Sequence, residues 1–162
     1  MKHILLFLMV AFIIKSSMTP QLLVTEPATW FHLPHYEGPF QLSFLFNADS
    51  PFYRFYSLRV EEEFLLRKLG HVLSYATLTY LLYLNLSIKN LWVKLLVVWG
   101  AVTLFGFLDE INQTFIYSRD GRLLDVILNS TASLLTVVII STVVMISKKK
   151  AVTKMIKNKR SI

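Results

Sequence analysis

Residues 123–146 read LLDVILNSTASLLTVVIISTVVMI, a run in which Asp125 is the only charge. A stretch of this length and character is close to the ~20 residues that carry a helix across a hydrocarbon core. Val, Ile and Thr are plentiful in it, but strands survive in lipid only as closed barrels. Short strands of alternating polarity are not seen in this chain, so the run reads as a membrane-spanning helix.

Working outward, residues 91–108 carry only Lys94 as a charge, and residues 70–86 are largely apolar around His71 and several hydroxyl side chains. At the start, Lys2 precedes the apolar run 4–14, which Lys15 interrupts before Ser16-Ser17-Met18-Thr19-Pro20. A short apolar core behind a charge resembles a signal peptide. No small-residue cleavage motif follows, however, and Leu22-Leu23-Val24 prolongs the apolar character. A retained first span over 3–24 is therefore expected, with Lys15 turned toward protein or water. The whole is read as an all-α integral membrane bundle of four transmembrane helices, about 3–24, 70–86, 91–108 and 123–146. One domain covers 1–147, and a basic cytoplasmic tail covers 148–162.

Composition agrees with this class. Of 162 residues 54% are hydrophobic, and the mean hydropathy is +0.53, more apolar than an ordinary soluble domain. The net charge of +7 would suit nucleic acid, but seven cations, Lys148, Lys149, Lys150, Lys154, Lys157, Lys159 and Arg160, follow the last apolar run. That placement reads as an orientation signal or a contact with anionic lipid, not as a nucleic-acid interface. With no cysteine, disulfides and thiolate metal sites are excluded. The histidines His3, His32, His35 and His71 form no HExxH pair. Pro34 separates the surroundings of His32 and His35 from a shared helix face. Neither a metal nor a cofactor is expected.

Between the first two spans, Pro27, Pro34, Pro39 and Pro51 punctuate a segment rich in Phe and Tyr, including Phe40, Phe44, Phe52, Tyr53 and Tyr56. Such aromatics fit a loop at the membrane interface. Glu61-Glu62-Glu63 then leads to Arg67-Lys68, and the Glu63–Arg67 spacing permits an i,i+4 pair. Lys and Arg near span ends set orientation. Lys2, Lys89, Lys94 and the basic tail fall on one side, against Arg54, Arg59, Arg67, Lys68, Arg119 and Arg122 on the other. Both termini are thus expected in the cytoplasm.

That topology brings three separated stretches to the outer face. His71 and Tyr75 share a helix face, as do Asp125, Asn129 and Ser133. Gln113 lies four residues from Asp109 and three from Glu110, so it can face either carboxylate. Ionisable groups at the mouth of a bilayer are expensive and normally face one another or a cavity. His71 is a candidate general base or nucleophile, with Asp109 or Glu110 as its orienting carboxylate. Arg119 and Arg122 suit an anion clamp. Helix-to-helix hydrogen bonding is the competing structural role for His71 and its neighbours.

These residues resemble the VanZ-like family of membrane proteins, named after a teicoplanin-resistance protein. Its pattern K-x-x-H-x-x-x-Y is matched by Lys68, His71 and Tyr75. Its D-E-x-x-Q-x-F is matched by Asp109, Glu110, Gln113 and Phe115, and its R-x-G-x-x-x-D-x-x-x-N by Arg119, Gly121, Asp125 and Asn129. Two departures stand out. Tyr117-Ser118 occupies the place of a frequent Pro-Gly, and Ala132 that of a glycine. The resemblance implies a multi-pass cell-membrane protein of the cell envelope, linked to glycopeptide (teicoplanin) tolerance. Its outward pocket would be lined by His71, Asp109, Glu110, Lys68, Tyr75, Gln113, Arg119, Arg122, Asp125 and Asn129. Membrane lipids, a lipid-linked cell-wall precursor or a glycopeptide are the expected partners. An enzyme acting on a lipid-linked or phosphorylated substrate is the alternative.

Overall fold

A computed structural model describes residues 1–56 and 62–160; Arg59 and Glu61, used above for orientation and pairing, lie outside them. The architecture is all-helical. Four α-helices, α1 (Lys2–Met18), α2 (Glu62–Asn85), α3 (Leu91–Gln113) and α4 (Leu123–Arg160), are joined to three short 3-10 turns at Pro27–Phe31, Leu42–Phe46 and Pro51–Tyr53. Among the described residues there is no strand, and one isolated bridge pairs Tyr36 with Ile116.

The helix ends follow local chemistry. α1 stops at Met18, short of the expected residue 24, because Thr19 precedes a proline and is extended (φ −84°, ψ 113°), as Pro20 requires. The chain then turns at Gln21, whose φ is +50°. Asn90 caps α3 by accepting from the amides of Trp92 (3.0 Å) and Val93 (3.2 Å), satisfying donors that open a helix. α2 begins before residue 70 and carries Glu62 and Glu63 in its first turn, where the helix dipole favours negative charge. α3 runs on past residue 108 to Gln113. α4 does not end with its apolar stretch, and the basic segment expected as a tail continues the same helix to Arg160.

The helices run up and down with their cores in two clusters. Ile13, Tyr75, Leu78 and Val102 form one, and Leu95, Val98, Val137 and Ile140 the other. At one end, Lys2 Nζ donates to the Leu84 carbonyl at 3.0 Å and Asn85 Nδ2 to the Lys2 carbonyl at 3.1 Å. The other end gathers the close of α1 and α3 with the start of α2 and α4.

Two helices, α3 and α4, are long and apolar enough to cross a membrane, where four were expected. α1 has only 17 residues, and α2 mixes His71, Tyr75, Thr77, Thr79 and Tyr80 among its leucines. The apolar windows of α3 and α4 are mostly uncovered, with 22% and 33% of them buried. Phe7, Leu96, Leu104, Leu135 and Ile139 point outward. The aromatic loop folds back over the end of α3. Phe40 lies 4.3 Å from Phe115 between ring centroids, Phe52 is buried against Phe44 and Phe107, and the Glu37 amide donates to the Phe115 carbonyl at 2.9 Å.

Candidate functional site: a polar end to the bundle

Two polar stripes meet where α2 packs on α4. Arg67, His71, Tyr75 and Thr79 recur every four residues on α2, and Asp125, Asn129 and Ser133 do so on α4. Residues at that spacing lie above one another on one face. At the deep end Thr79 Oγ1 donates to Ser133 Oγ at 2.9 Å. At the mouth Lys68 Nζ donates to Asp125 Oδ1, and the Tyr56 hydroxyl donates to the same oxygen at 2.7 Å. The ammonium also sits 4.4 Å over the Tyr56 ring, a favourable cation–π distance. Burial and the bond to Asp125 push the Tyr56 phenol well above its ordinary range, so it remains a donor.

Glu110 is the centre of the cluster and is fully buried. Its Oε2 accepts the Arg122 amide at 3.2 Å, and its Oε1 accepts Gln113 Nε2 at 3.3 Å. The same Gln113 nitrogen donates to Asp109 Oδ2 at 3.1 Å, and the Tyr75 hydroxyl reaches that oxygen at 3.2 Å. Gln113 thus serves both carboxylates, as its spacing allowed. Of the two expected partners, Glu110 and not Asp109 comes within 4 Å of the histidine, and the Asp125 carboxylate also lies close enough to act on the ring. His71 Nδ1 lies 3.9 Å from Glu110 Oε1, beyond hydrogen-bond length. Asn129 is buried beside the His71 ring, and among the described residues neither of its side-chain polar atoms has a hydrogen-bond partner.

The two loop arginines do not form a clamp. Arg122 turns away to donate to Asp120 Oδ2 at 3.1 Å and to the Phe55 carbonyl at 3.4 Å. Its own neighbours along the loop and the returning aromatic segment supply those acceptors, and the sequence spacing did not reveal them. Arg119 instead turns inward and donates to the Ser16 carbonyl at the end of α1. Burial and then the nearby Arg67 guanidinium pull Arg119 below the usual arginine range.

Arg119 and Arg67 face a cavity of about 360 Å³ between α1, α2 and α3. Of the expected site residues, His71, Tyr75, Asp109, Gln113 and Arg119 line it. Lys68, Glu110, Arg122, Asp125 and Asn129 are not among its lining residues and belong to the seam beside it. Arg67 and Tyr56 are functional candidates that sequence reasoning passed over. The signal for Arg67 was present, since it extends the His71–Tyr75 stripe by one turn. Glu63 was its expected partner, but Glu63 accepts instead from the Thr25 hydroxyl at 3.0 Å and from the Val24 amide. Lys15 bends over the loop and donates to the His32 carbonyl at 2.9 Å. Among the described residues, no three His, Asp or Glu side chains stand together as a metal site. No family model, no curated protein and no solved structure matches this chain.

Proposed function

We propose that the chain is a four-span integral membrane protein of the VanZ-like kind, whose polar end lies at the outer face of the cell membrane and binds an anionic lipid or cell-envelope precursor. In this reading it contributes to envelope physiology or glycopeptide (teicoplanin) tolerance. The supporting observation is the cavity itself, in which Arg67 and Arg119 share one space with the apolar side chains Phe12, Ile13, Leu22, Val24, Trp30 and Leu66. A head group with negative charge and an attached chain matches that lining.

The surface supports the membrane setting. Monomeric soluble proteins rarely expose large contiguous apolar areas, and here the outward faces of all four helices carry exposed large apolar residues. Lys2, Lys89 and Lys94 stand at the end opposite the cavity, as does the basic stretch of α4, in keeping with a cytoplasmic location for both termini. α1 and α2 would span by packing on α3 and α4, with the interfacial aromatics covering the outer end.

Single cysteines replacing Leu66, Ser87, Ser118 and Ala151 test the topology, since the chain has none of its own. An impermeant thiol reagent should label 66 and 118 from outside intact cells, and leave 87 and 151 untouched. The reverse pattern would put the cavity in the cytoplasm. Deletion of the gene should change teicoplanin sensitivity or envelope lipid composition; no change in either counts against the reading.

One geometric feature favours a second reading, an enzyme acting on a lipid-linked or phosphorylated substrate. His71 lines the cavity beside Arg67 and Arg119 with Glu110 3.9 Å behind it. It would act as base or nucleophile, with the Glu110 carboxylate near enough to favour the charge that forms on the ring. Undiminished turnover by His71→Ala would exclude it.

A further inference from the structure

Among the described residues, Arg67 and Arg119 are the only charged side chains common to two adjoining cavities. The first is the apolar-walled space already described. The second, of about 420 Å³, is lined by Gln21, Glu26, Thr29 and Ser118 together with Leu22 and Leu23. Both guanidiniums carry a buried Nε without a partner among the described residues. A buried donor left unsatisfied is costly, and two such donors converging from α2 and from the α3–α4 loop match an acceptor-rich anion. Arg119 is anchored through its terminal Nη2 on the Ser16 carbonyl, so its orientation is fixed by the end of α1. The acidic side chains on the two walls are already placed. Asp109 is occupied by Tyr75 and Gln113, and Glu26 lies on the second wall only.

We infer that Arg67 and Arg119 form a phosphodiester subsite at the junction of the two cavities. The ligand's apolar chain then leaves through the first cavity along Phe12 and Leu66, and its polar substituent leaves through the second. This assignment rests on the lipid-binding reading above and narrows it to a phosphodiester amphiphile. It also replaces the Arg119–Arg122 clamp with a pair drawn from two different elements. Gly70 supplies the means to separate chain from head group. It lines the first cavity, and a β-carbon there meets nothing within 4 Å, so a side chain added at this position starts in free space on the cavity wall.

The full chain in detergent is titrated with phosphatidylglycerol, diacylglycerol, glycerol phosphate and inorganic phosphate, and binding is followed by thermal shift and native mass spectrometry. Phosphatidylglycerol should bind, and the other three should bind at least about tenfold more weakly. Arg67→Gln and Arg119→Gln should each weaken phosphatidylglycerol about tenfold or more, while Arg122→Gln leaves it within about twofold. Gly70→Phe should weaken the lipid without lowering the melting temperature of the free protein. Should Arg119→Gln fail to fold for want of its Ser16 contact, Arg67→Gln carries the assignment, because the Arg67 side chain makes no hydrogen bond among the described residues. Equal binding of diacylglycerol would remove the phosphate subsite. Equal binding of inorganic phosphate would remove the amphiphile. Lipid binding that survives Arg67→Gln overturns the subsite alone, whereas no lipid binding by the parent chain overturns the broader reading with it.

Discussion

A β-carbon on Gly121 would sit 1.9 Å from the carbonyl oxygen of Glu110. The loop leading into α4 is thus pressed against the last turn of α3, and this approach lets the Arg122 amide reach the Glu110 carboxylate. Gly121→Ala forces backbone apart, not a flexible side chain, and should cost about 2–3 kcal/mol or more. Gly70→Ala, in open space on a helix, should be neutral or stabilising by up to about 1 kcal/mol. Thermal unfolding of the two variants in detergent compares them directly; similar melting temperatures would contradict the close approach.

The turn at Ile116–Arg119 is closed by the Arg119 amide on the Ile116 carbonyl at 3.0 Å, and Ser118 holds a φ of +58°. Positive φ at the third position is what Pro-Gly turns provide. Tyr117-Ser118 therefore keeps such a turn at a conformational cost instead of abolishing it. Ser118→Gly should raise stability by about 0.5–1 kcal/mol. Tyr117→Pro should lower it, since the Tyr117 amide donates to the His35 carbonyl at 2.8 Å and proline has no N–H to give. Melting temperatures that move in the same direction for both would refute this.

Lys68 and Asp125 are unequally buried, with side-chain exposures of 21% and 5%. Lys68→Met strands a carboxylate that, among the described residues, only the Tyr56 hydroxyl then serves, at a cost of about 3 kcal/mol or more. Asp125→Asn leaves an ammonium free to swing toward water and should cost about 1–2 kcal/mol. A double-mutant cycle with Lys68→Met/Asp125→Leu should show the second change partly relieving the first. Strict additivity would mean that the two charges act independently.

Glu63 fastens the start of α2 to the loop after α1. Burial pushes its carboxyl upward, but hydrogen bonds from Val24 and Thr25 and the Arg67 charge outweigh that and hold it below 4.5. A folded-state value below the unfolded one gives stabilisation that is complete above that range and fades as pH falls through the folded value. Hydrogen exchange at the Val24 and Thr25 amides should therefore be slow at pH 6 relative to its intrinsic rate, and lose that protection as pH falls through the depressed folded value. Glu63→Gln should flatten the dependence; an unchanged profile would place the protection elsewhere.

Much of the site was legible because helical periodicity is local. The His71–Tyr75 and Asp125–Asn129–Ser133 stripes, and the position of Gln113 between two carboxylates, needed only spacing and alternating helix direction. Side-chain heading was not legible where acceptors come from distant segments. Arg122 turns outward because Phe55 and Asp120 offer oxygen there. Arg67 is released to the cavity because Glu63 is claimed by Thr25 and Val24. Tyr56 could not be placed before the aromatic loop was seen to fold back on α3. The helix bounds at Met18 and Arg160 differ from hydropathy boundaries for a related reason, since Pro20 halts one helix and neither glycine nor proline interrupts the other.

α4 contains neither glycine nor proline from Leu123 to Arg160. At 1.5 Å per residue it is a rod of about 57 Å, against a hydrocarbon thickness of about 30 Å. Sharp kinks arise almost always at proline, glycine or inserted groups, so Asp125 and Lys148 through Lys157 ride on one stiff beam. Any tilt imposed on the lysine-bearing end, by a charged membrane surface or by another molecule gripping it, is delivered as leverage at the opposite end, where Asp125 holds Lys68 and Tyr56.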